Sequence, residues 1–170
     1  MKIKTKDLVT AAVLLAIAIV LPSIFHLTGI NGSLFSPMHI PVLLSGFILG
    51  PYLGAIIGIL SPILNSMITG MPAIPFLWVM VVELFLYGLI SGLLYKKLKI
   101  NLMVSLIISM IIGRIGGALS ILIFTNLFGF QLPAPMVFLK GATVAAIPGI
   151  IIQLIIIPTI VTIYKKNSRA

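Results

Sequence analysis

Three side chains in this sequence carry charge inside long apolar runs: Glu83, Arg114 and Lys140. Ionisable groups in such runs are costly to remove from water, and they ordinarily face a bundle interior or a water-filled hollow. Glu83 and Arg114 can neutralise one another as a structural ion pair. Lys140 then lacks an acidic partner, and the three sum to +1. That cation either snorkels to the surface or meets an anion. The chemistry on offer is recognition of a carboxylate by Arg114, Lys140 or both. Tyr87 follows Glu83 by one helical turn, and Trp78 precedes it. Either could stack on a ligand or hydrogen-bond to it, although a Trp at that level also suits an interfacial belt. His39 offers a substrate hydrogen bond or a helix-end role, and Asn65 a further polar group.

Covalent chemistry has little to work with. There is no cysteine, and the two histidines, Asp7 and Glu83 are the remaining groups for hydrolysis or metal binding. No glycine-rich loop ends in Lys-Ser or Lys-Thr. The expectation is no enzyme, no metal and no cofactor.

The elements that must position these residues are membrane spans. The chain has 170 residues, 61% hydrophobic and 8% charged, with a formal net charge of +9. Soluble proteins average about 45–50% apolar and about 25% charged. So few charges cannot cover a soluble particle, which excludes a soluble enzyme. The near absence of a polar face likewise excludes a nucleic-acid binder. A crossing needs about 20 apolar residues. The runs predict an all-α integral membrane domain over 1–170 with six spans: 8–25, 38–49, 51–68, 76–95, 102–125 and 135–164. The first is a span and not a signal peptide, because no soluble domain follows it. The second is short, and the alternative is one broken helix over 38–68 with five spans in total. Charge decides between them. Lys2, Lys4 and Lys6, then Lys96, Lys97 and Lys99, then Lys165, Lys166 and Arg169 fall on one side only if there are six spans. The positive-inside rule then places both termini in the cytoplasm, in a multi-pass cell-membrane protein.

At 1.5 Å per residue, Glu83 lies about 10 Å, Arg114 about 16 Å and Lys140 about 8 Å from the outer ends of their spans. With Asn65 and His39 they converge on an outward-facing hollow. Gln153 falls on a different face of its span from Lys140 and is expected to face another helix or a partner. Small residues recur at the helical period: Ala12 and Ala16; Gly54, Gly58 and Ser61; Gly88 and Gly92; Gly113 and Gly117. Lipid gives helices no hydrophobic reason to associate, so these are first read as packing surfaces.

Six spans, an outer-half site, Ala12-x-x-x-Ala16 on the first span, and the hairpin from Met38 and His39 through Gly46, Gly50-Pro51 and Gly54 to Gly58 and Ser61-Pro62 resemble the substrate-binding S component of energy-coupling factor transporters. Thr69-Gly70-Met71-Pro72 and Val82-Glu83-Leu84 near Tyr87-Gly88 are most similar to chains assigned to pantothenate. The resemblance implies high-affinity capture of a water-soluble vitamin from outside. It implies docking through Ala12 and Ala16 on a transmembrane T component that carries two ATPases. The membrane charge of +1 favours an anionic vitamin, with folate, niacin, biotin and pyridoxine open beside pantothenate. The competing function is a stand-alone secondary transporter in which Glu83 couples protons; it usually shows internal repeats, and the two halves of this chain do not match.

Overall fold

The computed structural model describes residues 4–27 and 35–167, without the side chains of His26 and Leu27. Among them the chain forms helices α1 (Thr5–Leu27), α2 (His39–Leu49), α3 (Pro51–Thr69), α4 (Phe76–Gly92), α5 (Leu102–Phe128), α6 (Pro135–Lys140) and α7 (Ile147–Asn167). Two π-helical turns, Leu93–Lys97 and Gly141–Ala145, extend α4 and α6. Five helices are long and apolar enough to cross a membrane: α1, α3, α4 with its π turn, α5 and α7. Large aliphatic side chains stay exposed on their outer faces, among them Val13 and Ile17 on α1, Ile111 and Ile115 on α5, and Ile151 and Ile155 on α7. An apolar exterior of this extent suits lipid and not water.

Local chemistry explains the element ends. Gly50 adopts φ 96° and ψ 180°, a region open essentially to glycine, and Pro51 then opens α3 with its φ already suited to a helix. This turn folds α2 back along α3. Gly70 closes α3 in the left-handed region, its N–H donating to the Ser66 carbonyl. Asn101 caps α5, its side chain accepting from the Met103 N–H at 2.9 Å.

The centre of the bundle is α4, which packs on α2, α3 and α5. Backbones come into direct contact here. A Cβ added to Gly54 would meet the Gly88 carbonyl oxygen, one at Gly58 the Leu84 carbonyl, and one at Gly92 the start of α3 at Pro51. The small-residue stripes of α3 and α4 are therefore one interface in which dispersion operates at minimum separation. The pair Gly113 and Gly117 does something else. It leaves space on α5 for the Tyr87 ring, the Phe138 ring and the Glu83 Cβ. Buried hydroxyls are satisfied within their own helices: Ser45 donates to Val42 O, Ser61 to Ile57 O and Ser109 to Ser105 O, each at 2.6 Å.

The expected sixth span, 135–164, is not one continuous helix. It breaks at Ala146, between the π turn and α7. Pro148 supplies no N–H, and its ring conflicts with a helical carbonyl at Val144, so a regular ladder cannot pass through this point. The short second element is as short as expected: 11 residues, all but two of them buried. At 1.5 Å per residue it covers about 16 Å, roughly half of a hydrocarbon core. It begins inside the protein, where surrounding helices shield its end.

Candidate functional site

The space above the buried start of α2 is a cavity of about 580 Å3. Its walls come from the end of α1 (Pro22), the approach to α2 (Ser36 to His39), α3 with its following loop (Asn65, Met71, Pro72), α4 (Phe76, Met80, Glu83), Arg114 of α5, and the α6 segment (Phe138, Gly141, Ala142). The loop after α3 is held in place by side chains of that helix. Ser66 Oγ donates to Pro72 O at 2.9 Å, and Thr69 Oγ1 accepts from the Met71 N–H at 3.2 Å. The volume falls within the roughly 300–1,000 Å3 of small-molecule sites, and an apolar lining with a few convergent polar groups is their usual composition.

Glu83 is the polar centre. It is 2% exposed, and three groups meet on one of its oxygens, Oε1. Arg114 Nη1 lies 2.8 Å away, the Tyr87 hydroxyl donates at 3.1 Å, and His39 Nε2 lies at 3.4 Å. The His39 and Tyr87 rings also meet edge-on, with centroids 5.2 Å apart. Gly113 makes the arrangement possible, because any side chain there would occupy the volume of the Tyr87 ring. The Arg114 side chain keeps 14% exposure and lines the cavity, its Nη1 on Glu83. Asn65 Oδ1 and both ring nitrogens of His39 are buried and have no hydrogen-bond partner among the described residues, the 3.4 Å approach of Nε2 to Glu83 being a charge contact only. Both residues line the cavity. The set thus holds a carboxylate, a guanidinium with donors to spare, and uncommitted polar atoms on Asn65 and His39 in a largely apolar chamber. That combination suits a small ligand that bears a carboxylate together with hydroxyl or amide groups.

Of the residues expected from sequence, His39, Asn65, Glu83 and Arg114 line the cavity, and Tyr87 supports it from behind. Lys140 and Trp78 lie outside the lining; Lys140 is exposed and Trp78 is 41% exposed. The hollow therefore carries one positive and one negative group, not the expected excess of one cation. Ala12 and Ala16 are both exposed on α1, away from the face that packs through Leu14 and Ala18. Gln153 is buried, and its Nε2 has no partner among the described residues. The apolar walls Met71, Phe76, Met80 and Phe138 were not anticipated, because in a sequence this apolar nothing separates a lining residue from an ordinary core residue. No group of three or more metal-ligating side chains occurs among the described residues.

The family model for the substrate-specific component of ECF transporters matches residues 6–161. No curated protein and no solved structure gives a significant match. The match takes in α1 to α6 and most of α7, including every residue placed at the cavity. The chain belongs to the family of ECF transporter substrate-specific components.

Proposed function

We propose that this chain captures a small water-soluble vitamin with a carboxylate, pantothenate being favoured, as the substrate-binding subunit of an ATP-driven importer. The observation that carries the reading is Arg114, held by Glu83 and lining a largely apolar cavity. A guanidinium held in this way is oriented before the ligand arrives, which reduces the ordering cost of binding. Its remaining N–H groups would take the vitamin carboxylate, and Asn65 and His39 would take its amide and hydroxyl groups. Pantothenate carries all three kinds of group.

Membrane placement follows the lysines. The cavity lies at the end of the bundle opposite Lys4 and Lys6, Lys96 to Lys99, and Lys165 and Lys166. With those clusters cytoplasmic, the chain crosses six times, α6 and α7 forming the last crossing, and the cavity opens outward. Ala12 and Ala16 would dock on a T component that carries two ATPases.

Binding of radiolabelled pantothenate to purified protein in detergent tests the site. Arg114→Ala is expected to weaken binding by more than about tenfold, the loss of a charge-assisted bond worth about 1.5–3 kcal/mol. Unchanged affinity would remove Arg114 from the site. Uptake by cells with the complete transporter should depend on ATP and persist with a protonophore at constant ATP. Collapse under the protonophore would favour a secondary transporter in which Glu83 carries protons.

A further inference from the structure

A second hollow, of about 540 Å3, lies at the opposite end of the bundle from the first. It is lined by Lys96 and Lys99 after α4 and by Lys165 near the end of α7, over a floor of Phe47, Ile48 and Val161. Tyr95 stands in its wall, its ring 5.5 Å edge-on from Phe47 and 5.8 Å below the Lys165 ammonium. Three cations thus share one concavity with no acid in it. The two acidic side chains of the sequence are both engaged elsewhere. Glu83 is bound to Arg114 in the other cavity, and Asp7 accepts from the Lys4 N–H at 3.1 Å.

The backbone holds Lys96 and Lys99 in place. The π turn Leu93–Lys97 is closed by Leu98 N–H on Leu93 O, and Ile100 N–H returns to Leu94 O, both at 3.0 Å. Lys99 sits between them at φ 55°, in the left-handed region where a glycine or asparagine is usual after a helix. A lysine at this position is conformationally unfavourable, yet it carries its charge to the rim of the hollow.

We infer that this hollow binds the headgroup phosphate of an anionic phospholipid, the three lysines taking the phosphate and the Phe47–Ile48–Val161 floor taking the start of an acyl chain. An aromatic and basic pocket at the end of membrane helices sits at headgroup level, where anionic lipid is the most concentrated source of phosphate. The apolar floor distinguishes a lipid from a free phosphate, which has nothing to place there.

Native mass spectrometry of the detergent-purified chain with added phosphatidylglycerol or phosphatidylcholine tests the assignment. One phosphatidylglycerol should be retained in preference to phosphatidylcholine. Each lysine removed should lower retention by about fivefold, so K96Q/K99Q/K165Q should abolish it, while K4Q/K6Q/K166Q with the same loss of charge should keep it. The arginine triple K96R/K99R/K165R should also keep it. Lys99→Gly guards against a folding artefact, because it relieves the left-handed backbone. It should leave the melting temperature unchanged or raised and still weaken retention. Equal losses in the two glutamine triples, equal retention of phosphatidylcholine, or no change in Lys99→Gly would overturn the proposal. Displacement of the lipid by inorganic phosphate would overturn it in favour of a free-anion site.

Discussion

Glu83 Oε1 is bonded by an arginine and a tyrosine, with a histidine 3.4 Å away. In a buried cluster of this kind, losing one member costs more than losing an opposed pair, because a single deletion strands a charge. Glu83→Gln should therefore destabilise the protein by about 3–5 kcal/mol, read as a fall in melting temperature in detergent. The double variant Glu83→Gln/Arg114→Gln should recover part of that loss without recovering ligand binding. Equal melting temperatures for the single and double variants would show that the pair is not coupled. Lys140→Ala should leave ligand affinity within about twofold, as for a surface change away from the cavity. A larger loss would place Lys140 at the ligand after all. The charged residues of the cluster were legible in the sequence because a charge in an apolar run has few ways to be tolerated. Lys140 misled for a physical reason. Its depth was measured along a straight helix, whereas the chain there is a six-residue helix with only Phe138 buried, followed by a π turn and a break. Asn65 and His39 could be placed by period and position, but their unpartnered atoms could not, since hydrogen-bond satisfaction belongs to the folded state.

Among the elements, α4 is held by backbone contact and α6 by side chains. The Gly54–Gly88 and Gly58–Leu84 contacts leave no room for a methyl group. Gly88→Leu should cost about 1–3 kcal/mol or more through forced separation of α3 and α4, and thermal unfolding in detergent checks it. Gly116→Leu, which would meet only the far end of the Leu86 side chain, should be milder. The reverse order would mean that the α3–α4 interface is looser than the structure shows. The helix ends were readable because Gly50-Pro51, Gly70 and Gly129 are strong local signals. The assignment of the two glycine pairs was not. Gly88 and Gly92 meet a helix backbone, whereas Gly113 and Gly117 seat aromatic rings, and identical spacing cannot distinguish these uses.

For the whole molecule, the two hollows lie at opposite ends and differ in charge: a balanced pair in one, three unopposed cations in the other. A third surface lies along α1, where Ala12 and Ala16 are exposed on the side away from the buried Leu14, Ala18 and Pro22. If this face docks on a T component, Ala12→Trp should leave ligand binding within about twofold, as an exposed position distant from the cavity, and abolish uptake. Co-purification of the T component and ATPases with the variant would refute that docking face. Composition alone was enough to indicate a membrane bundle, because no soluble surface can be made from so few charges. The break between α6 and α7 was not readable in the same way, since a proline in an apolar run signals a bend without saying which way the halves separate.

The wall made by α6 and its π turn has a mechanical consequence. Within those eleven residues only Phe138 is buried, seated against Val79, Ala118 and Ile121 and 5.8 Å from the Phe76 ring. Lifting that one plug exposes a single aromatic side chain at about 1.5–3 kcal/mol, whereas parting α3 from α4 breaks backbone contact at several glycines at once. The chamber is stiff on its α3–α4 side and compliant on its α6 side. A ligand that touches both sides then acts as a strut, and the tightness of its binding becomes a measure of how firmly it holds the soft wall closed.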